Sequence, residues 1–435
     1  MYAIIFSSLL YLGSFVYPTY LYPCLFIFMI PLVIPIEKLT FLDGYAWGII
    51  FFAGHLSWIA YSLGLRGQGM MSYVIYILSI CYFSLFSGFW FWYKNLLDVV
   101  CMKKIKSLKA ICAISFCTWV ISTVTFICLT RDCSLALCDC LEGYPLMCPL
   151  LPLLSWSWYI APIRYVGGFF YVFIIVLINM IIASLYIKYE PISLIFLCGL
   201  FLFPVCFWVA PPRSSHADPS TIAFVQPDWQ AETLTAAELF YRIGRCLDTI
   251  AVQQPSVNLV LFPESSFPYN LMDWRDKLPA WTTLLDEHTS IIIGAHRYQG
   301  SCIYNSVYQI VDGKIVAWYD KTHLMPFVER MPLVIEYLPW LQSLYCNQGR
   351  YFSYPCDDQA DVAMMGYRPC ICSELFLQKK KQVRTGQSLI FVCNDSWLGY
   401  DFAVELGLRC AQLYALEHSA SILYVGSYFG KILPG

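Results

Sequence analysis

The sequence predicts two parts: a multi-span α-helical membrane bundle over residues 1–210 and an α/β domain over residues 221–435. Of the 435 residues, 59% are hydrophobic and 13% are charged, whereas a soluble domain carries about 25% charged residues. The charged side chains are divided unequally, with 17 in residues 1–210 and 39 in residues 211–435. This composition excludes an ordinary cytosolic enzyme and a disordered chain. The net charge of −2 excludes a nucleic-acid binder that relies on basic charge.

The first part contains seven apolar stretches of the length that crosses a bilayer, which takes about 20 helical residues. They cover residues 2–17, 20–36, 44–64, 71–93, 108–129, 166–187 and 192–210. The first two are short and flank Pro18, so they form either a hairpin or one broken span. A signal peptide over 1–17 is the weaker interpretation, because no basic segment precedes the apolar run and further spans follow.

Lysine and arginine in the connections between spans predict the orientation. Lys94 and the group at 103–109 mark the connection between the fourth and fifth spans as cytoplasmic. Alternation then places Lys38 and Lys188 inside, and Arg66, Arg131 and Arg164 outside. The domain after the seventh span is therefore expected outside the cytosol.

The connection 130–165 is unusually apolar for a loop. We expect it to rest in the lipid headgroup layer; an eighth span at this place is the alternative, and it would invert the topology. Four cysteines in it, Cys133, Cys138, Cys140 and Cys148, are able to form disulfides that the sequence does not assign. Their spacing resembles a zinc site only loosely and no histidine lies nearby, so a metal is not predicted.

A Pro- and Ser-rich linker at 211–220 opens the second part, where strands and helices alternate. Thr235-Ala-Ala-Glu238 is a capping box that begins an amphipathic helix ending near Ile250. A second helix is predicted at Asp401–His418. The predicted strands are 221–225, 258–262, 290–294, 306–311, 315–319, 388–393 and 422–425. This alternation predicts a layered α/β domain.

Three chemically capable residues each follow an apolar strand: Glu264, Lys321 and Cys372. Ligands usually collect at strand ends in α/β sheets. A carboxylate in an apolar pocket is able to take the proton of a thiol, and an ammonium is able to stabilise the oxyanion formed when sulfur attacks a carbonyl. The three together predict acyl transfer through a cysteine.

Four strings carry a family resemblance: Leu261-Phe-Pro-Glu264, Lys321-Thr-His-Leu-Met-Pro-Phe-Val-Glu329, Ile371-Cys-Ser-Glu374 and Asn394-Asp-Ser-Trp-Leu-Gly399. They resemble the nitrilase (carbon–nitrogen hydrolase) superfamily. With the N-terminal spans, the chain resembles the apolipoprotein N-acyltransferase family within it. The resemblance implies an αββα sandwich on the periplasmic side of the inner membrane. It also implies a ping-pong reaction that moves an acyl chain from a phospholipid, through a cysteine thioester, to the N-terminal amine of a diacylglyceryl-cysteine lipoprotein.

The resemblance implies a role for each matching residue. Glu264 is the general base, Lys321 the oxyanion stabiliser and Cys372 the nucleophile, with Glu329 and Glu374 in support. Asn305, in the family-like string Tyr304-Asn-Ser306, is interpreted as structural. Cys370 is the rival nucleophile, because alternation along a strand would point it to the same face as Cys372. Only the Ser-Glu that follows favours Cys372.

Two departures from the family pattern lead to further expectations. Ser373 stands where the family usually has an aromatic residue, so a contact to the acyl chain or substrate is expected to be lost. The sequence also stops at Gly435, whereas the resemblance implies further strands and a final membrane span. Either the chain is incomplete or diverged, or it folds with a smaller sandwich. The apolar segment 330–360 is expected to be core; the alternative is a mobile lid over the site.

Two other functions stay open. One is a membrane-tethered amidase of nitrilase type that acts on a small amide. The other is an inactive relative that binds lipoprotein or lipid, favoured by Ser373 and the early end. The apolar segments favour the acyltransferase over the amidase, and the intact Glu264, Lys321 and Cys372 oppose an inactive protein. No cofactor is predicted, because the sequence has neither a Gly-rich phosphate loop nor residues at metal-ligand spacing.

Overall fold

The computed structural model describes most of the chain, and its described residues form two compact units. One unit lies within Met1–Cys133, Gly143–Pro211 and Trp397–Leu413; the other lies within Ser134–Glu142, Pro212–Ser396 and Tyr414–Gly435. The structure describes residues 1–33, 39–65, 70–102, 148–187, 191–207, 219–227, 231–325, 329–330, 352–353, 359, 362–377, 387–396 and 401–434.

Helices make up the N-terminal unit. The longer ones are Tyr2–Val16, Phe41–His55, Ser57–Leu65, Met70–Met102, Gly168–Ile187 and Pro191–Leu202. Short helical turns cover Pro18–Leu21, Tyr22–Phe26, Ile30–Val33, Leu150–Leu153, Ser157–Ile160, Ile163–Val166 and Phe203–Phe207. Six of the seven predicted spans are therefore helical in their described parts. The fifth, 108–129, lies outside the described residues.

Among the described residues, one helical segment, Ser72–Asn95, is long and apolar enough to cross a membrane. Four apolar helices are shorter, at Tyr2–Val16, Pro18–Leu32, Phe170–Ala183 and Ser193–Val205. A helix rises 1.5 Å per residue, so the 15 residues of Tyr2–Val16 reach about 22 Å, short of a hydrocarbon core about 30 Å thick. The seven-span bundle therefore remains a prediction.

The second predicted span is broken into short turns, and a buried asparagine satisfies the freed backbone. The Asn179 side chain donates from Nδ2 to the Leu25 carbonyl at 2.7 Å, and its Oδ1 accepts from the Met29 N–H at 3.0 Å. An unpaired backbone group in an apolar setting costs several kcal/mol. Asn179 thus allows the irregular backbone to lie inside the bundle.

The apolar connection 130–165 differs from expectation in its described part. Leu150, Leu151, Leu153, Tyr159 and Ile160 are fully buried within the N-terminal unit. These side chains therefore pack inside the unit and do not form a headgroup-facing surface. Three short helices, and no single span, stand where an eighth span was the alternative. Trp158 in the same segment is exposed, so contact of this connection with the headgroup layer stays a prediction. Cys148 is buried; Cys133, Cys138 and Cys140 lie outside the described residues.

Two sheets form the second unit. The strands are β1 Ile222–Phe224, β2 Leu259–Leu261, β3 Phe267–Asn270, β4 Ser290–Gln299, β5 Cys302–Val311, β6 Lys314–Asp320, β7 Arg368–Ile371, β8 Leu389–Val392, β9 Ile422–Val425 and β10 Gly430–Leu433. The larger sheet has the order β1-β2-β4-β5-β6, with β3 pairing β4, and the smaller sheet has the order β10-β9-β8-β7. Seven predicted strands are confirmed, with β4 and β5 extending beyond their predicted ends.

The two sheets pack face to face. One buried cluster joins Leu261, Ile292 and Val307 of the larger sheet to Ile390 and Leu423 of the smaller. The opposite face of the larger sheet is covered by the helix Ala236–Gln253, through Leu239, Ile243 and Leu247 among others. This gives the layer order helix, sheet, sheet. The predicted helix Asp401–His418 is confirmed and is divided between the two units.

The predicted capping box at the start of the helix Ala236–Gln253 is also confirmed. The Thr235 hydroxyl accepts from the Glu238 N–H at 3.3 Å, and the Glu238 carboxylate accepts from the Thr235 N–H at 2.9 Å. Residues 211–218 of the linker and most of 330–360 lie outside the described residues.

Gly294 on β4 allows the backbone after β2 to approach closely. A Cβ at this position would lie 2.6 Å from both the Glu264 Cα and the Pro263 carbonyl oxygen, and 2.7 Å from the Ser265 nitrogen. Real side chains do not tolerate such contacts with backbone. The turn at Pro263–Ser265 therefore needs glycine at 294.

We predict that Gly294→Ala lowers the unfolding free energy by about 1–3 kcal/mol, the usual cost of overpacking a filled core. The measurement is thermal unfolding of the purified protein in detergent. Gly407→Ala is the matched control, because a Cβ there meets nothing within 4 Å and alanine favours a helix. An unchanged melting temperature for Gly294→Ala would contradict the prediction.

Candidate active site

Glu264 lies beyond the carboxyl end of β2 and is 6% exposed. Its Oε1 accepts from Asn305 Nδ2 at 2.7 Å and from Lys321 Nζ at 3.4 Å, and its Oε2 accepts from the Asn394 N–H at 2.9 Å. The next residue, Ser265, has a φ of 55°, which lies in the left-handed region that residues other than glycine rarely adopt. The carboxylate is therefore fixed by groups from three other segments of the chain.

Lys321 directly follows β6, and its side chain is 1% exposed. Its backbone N–H donates to the Asn305 carbonyl at 2.8 Å, which fixes the start of the turn. Its Nζ donates to Glu329 Oε1 at 2.9 Å and lies 3.4 Å from Glu264 Oε1. The ammonium thus lies between two carboxylates, as a buried charge requires.

Asn305, interpreted as structural from the sequence, lies within the site. Its Nδ2 donates both to Glu264 Oε1 at 2.7 Å and to Glu329 Oε1 at 2.8 Å. The amide therefore holds together two carboxylates that would otherwise repel each other. The family-like string Tyr304-Asn-Ser306 draws attention to this asparagine. Its position in the sequence does not reveal that its partners are carboxylates.

Cys372 follows β7 and has φ of 46°, a left-handed conformation. Its N–H donates to the Val392 carbonyl at 2.8 Å, which continues the pairing of β7 with β8 for one residue. The side chain packs against the cluster between the two sheets. The charges of Glu264 and Lys321 both act on its thiol.

Cys370 and Cys372 have different surroundings. Cys370 is fully buried, whereas Cys372 is partly exposed. The expectation that both point to one face assumes strand alternation through residue 372, and the left-handed backbone of Cys372 ends that alternation. Of the two cysteines, Cys372 is thus the more exposed residue.

Glu374 joins the turn of the lysine to the turn of the cysteine. Its Oε1 accepts from the Tyr319 hydroxyl at 2.9 Å and from the Thr322 N–H at 2.6 Å, while its Oε2 accepts from the Ile371 N–H at 2.8 Å. The side chain is fully buried. Glu374 therefore sets the spacing between the ends of β6 and β7.

Ser373 adds a second link between these two turns. Its hydroxyl donates to the His323 carbonyl at 3.1 Å, and the residue is 6% exposed. An aromatic side chain could not make this hydrogen bond. The departure at 373 thus brings a contact within the protein.

The charges of the site act on both the thiol and the ammonium. Burial raises the pKa of Cys372 well above its ordinary value, Glu264 raises it further, and Lys321 opposes them. Burial lowers the pKa of Lys321, but Glu264 and Glu329 outweigh that effect and hold it well above its ordinary value. At neutral pH the site therefore holds a protonated thiol and a permanent ammonium.

The described residues contain no group of three or more His, Cys, Asp or Glu side chains arranged to hold a metal ion. All five predicted site residues, Glu264, Lys321, Cys372, Glu329 and Glu374, belong to one unit and are joined by the contacts above. Of the string 394–399, residues 397–399 lie outside the described residues.

Comparison with known proteins identifies relatives that are named apolipoprotein N-acyltransferase. An apolipoprotein N-acyltransferase of Rhizobium rhizogenes (strain K84) is 30% identical over 210 residues, covering 43% of this chain and 38% of the relative. That of Sinorhizobium fredii is 31% identical over 173 residues, covering 37% of this chain and 32% of the relative. That of Helicobacter pylori is 26% identical over 180 residues, covering 40% of this chain and 41% of the relative. The chain thus spans about a third to two fifths of the length of these relatives.

Among solved structures, a carbon–nitrogen hydrolase superfamily protein of Xanthomonas campestris matches this chain. The match covers 47% of this chain and 74% of the Xanthomonas protein. The identity is 17% and the TM-score is 0.32, too low to establish a common fold. No protein-family model matches the chain. The resemblance found in the sequence is nevertheless confirmed by the curated relatives: this chain is related to the apolipoprotein N-acyltransferases.

Proposed function

We propose that this chain is a membrane-bound acyltransferase that transfers a fatty acyl chain from a phospholipid to the N-terminal amine of a diacylglyceryl-cysteine lipoprotein, through a thioester on Cys372. One observation carries the proposal: a partly exposed cysteine, a buried carboxylate and a buried ammonium follow three strands, and the two charged groups act on the thiol. The relatives, named apolipoprotein N-acyltransferases, supply the class of substrate.

In the first half-reaction, Glu264 takes the proton of the Cys372 thiol while the sulfur attacks the ester carbonyl of the phospholipid. The carbonyl oxygen becomes an oxyanion, which the Lys321 ammonium stabilises; removing one such donor typically costs 10²–10³-fold in rate. The C–O bond then breaks. Glu264 returns the proton to the departing alkoxide, which leaves as a lysophospholipid.

In the second half-reaction, the lipoprotein amine attacks the thioester carbonyl and Glu264 takes a proton from the amine. The tetrahedral intermediate collapses with loss of the Cys372 sulfur, which receives the proton. The product is an amide, and the free thiol is restored. One base serves both steps, as microscopic reversibility of a single acyl-transfer site requires.

Glu329 and Asn305 keep the ammonium in place during this cycle. When Glu264 is protonated, Lys321 still has the Glu329 carboxylate at 2.9 Å. Asn305 remains bound to both carboxyl groups through its Nδ2. The oxyanion donor therefore does not move as the base changes charge.

The membrane arrangement belongs to the same proposal. The helix Ser72–Asn95 is the span that length and composition support best. Lysine and arginine bias orients a bundle of about seven spans in the inner membrane with residues 221–435 on the periplasmic side. A diacylated lipoprotein and phospholipid headgroups are both accessible to a domain on that side.

We predict that Cys372→Ala lowers the rate of acyl transfer about 10³-fold or more, because the thioester cannot form. The measurement is mass spectrometry of the protein after incubation with phospholipid, which detects an acyl adduct on the peptide that contains residue 372. Cys370→Ala is the matched control and should retain the adduct, since Cys370 is fully buried.

Loss of activity in Cys370→Ala, with activity kept in Cys372→Ala, would contradict the choice of nucleophile. Hydrolysis of small amides without an acyl adduct from phospholipid would favour the amidase instead. The absence of both reactions would favour an inactive binding protein.

We predict that alkylation of Cys372 by iodoacetamide is slow at pH 7. It should reach half its maximal rate at a higher pH than the cysteine of an unstructured model peptide, an unperturbed thiol with a pKa near 8.5. The sign follows from burial and from Glu264, which both raise the pKa of the Cys372 thiol. Glu264→Gln removes the negative charge and should shift the midpoint to lower pH. A midpoint for Cys372 below that of the model peptide would contradict this electrostatic picture.

We predict that protease added to intact spheroplasts removes an epitope tag placed after Gly435. The reason is that residues 221–435 follow a seventh span on the periplasmic side. A tag inserted at Ser107, in the Lys-rich connection predicted to be cytoplasmic, is the control and should stay protected until the cells are lysed. The opposite pattern would place the catalytic part in the cytosol.

A further inference from the structure

The orientation of the Glu264 carboxylate is set by hydrogen bonds. The terminal torsion of a glutamate side chain is broad and is not confined to narrow rotamer wells. Asn305 and Lys321 both bind Oε1, so they fix one oxygen and leave rotation of the group to be fixed elsewhere. The Asn394 N–H, 2.9 Å from Oε2, supplies that second point.

Asn394 lies beyond the end of β8, in a segment held by its side chains. Asp395 Oδ1 accepts from the Ser427 N–H at 2.6 Å, and Asn394 Oδ1 accepts from the Ser427 hydroxyl at 3.1 Å. Cys393 donates from Sγ to the Tyr424 hydroxyl at 3.1 Å. The segment is thus fastened to β9 and to the turn that follows it.

The β9–β10 turn is shaped to receive the Asp395 carboxylate. A Cβ on Gly426 would come within 3.1 Å of three atoms of that carboxylate, the nearest being Oδ2 at 2.4 Å. Asp395 is 3% exposed, so its bond to the Ser427 N–H is shielded from water. A charge-assisted hydrogen bond in such a place is both short and strong.

We propose that Asp395 is a positioning residue for the general base: by holding Ser427, it fixes the Asn394 N–H and through it the Glu264 carboxylate. The proposal rests on the base assigned to Glu264 under the proposed function. Asp395 does not touch the reacting atoms. It acts by keeping a lone pair of the Glu264 carboxylate directed at the thiol proton. General-base catalysis typically raises a reaction rate 10²–10⁴-fold, and a carboxylate that rotates away from the proton loses part of this enhancement.

The test uses p-nitrophenyl butyrate, a small activated ester that needs neither phospholipid nor lipoprotein. Attack by Cys372 releases p-nitrophenolate and leaves a butyryl thioester, so the first turnover gives a burst whose rate is measured by absorbance. Mass spectrometry confirms that the acyl group is on Cys372. The variants are Asp395→Asn, Glu264→Gln and the double variant, all in the full-length protein.

We predict that Asp395→Asn lowers the acylation rate about tenfold when Glu264 is present and less than twofold when Glu264 is replaced by Gln. The coupling follows because Asp395 acts only through the base. Asp286→Asn is the matched control, since Asp286 also accepts a backbone N–H, that of His288 at 2.9 Å, but is exposed on the surface. It should react like the unmodified protein.

An equal fall in both backgrounds would mean that Asp395 has a general structural role, and no fall would mean that Glu264 is oriented without it; either result overturns the proposal. If Asp395→Asn does not fold, Ser427→Ala removes only the hydroxyl that holds Asn394 and should give a threefold to fivefold fall with the same dependence on Glu264. A protein that obeys this cycle but does not acylate lipoproteins would refute the proposed substrates and leave the role of Asp395 intact.

Discussion

The site depends on the pairing of a buried ammonium with two buried carboxylates. Removing a charge from water costs several kcal/mol even after the protein relaxes, so Lys321 is stable in the interior only beside Glu264 and Glu329. Those residues lie at the ends of different strands and loops. Pairing the lysine therefore brings the end of β2 together with the end of β6 and the segment that follows it, and the charges of this cluster reach the Cys372 turn.

The same charges decide the protonation state of the Cys372 thiol. With Glu264 and Glu329 around one ammonium, a thiolate at 372 would be a third negative charge in a buried cluster, and the pKa of the thiol is accordingly raised. In the reaction proposed above, such a thiol passes its proton to Glu264 as the sulfur attacks the carbonyl. The arrangement differs from cysteine–histidine pairs, in which a cation lowers the thiol pKa and the thiolate is formed in advance.

The sequence predicted the strands that carry the site, because each is a short apolar run that ends at a polar residue, as in Leu259–Leu261 before Glu264. It could not choose between Cys370 and Cys372 by alternation, since the left-handed backbone at 372 is a tertiary feature. Nor could it assign Asn305, whose partners are 24 and 41 residues away. The burial of Leu150 and Leu151 was missed for the same reason: an apolar run does not reveal whether lipid or protein will cover it.

Two left-handed residues lie at the centre of the site, Ser265 next to the base and Cys372 itself. A non-glycine residue in this conformation costs about 1–2 kcal/mol, so the surrounding structure must hold it there. Gly294 admits the first turn, and the Val392 carbonyl, together with Glu374, holds the second. Glu264 and Cys372 come from different sheets, and a positive-φ residue lies at or beside each of them. Strained backbone of this kind persists only where the surrounding structure holds it, and it clusters at functional sites. The two turns are therefore the places where the fold departs from regular strand geometry to position the side chains to which the proposed function assigns the proton transfer.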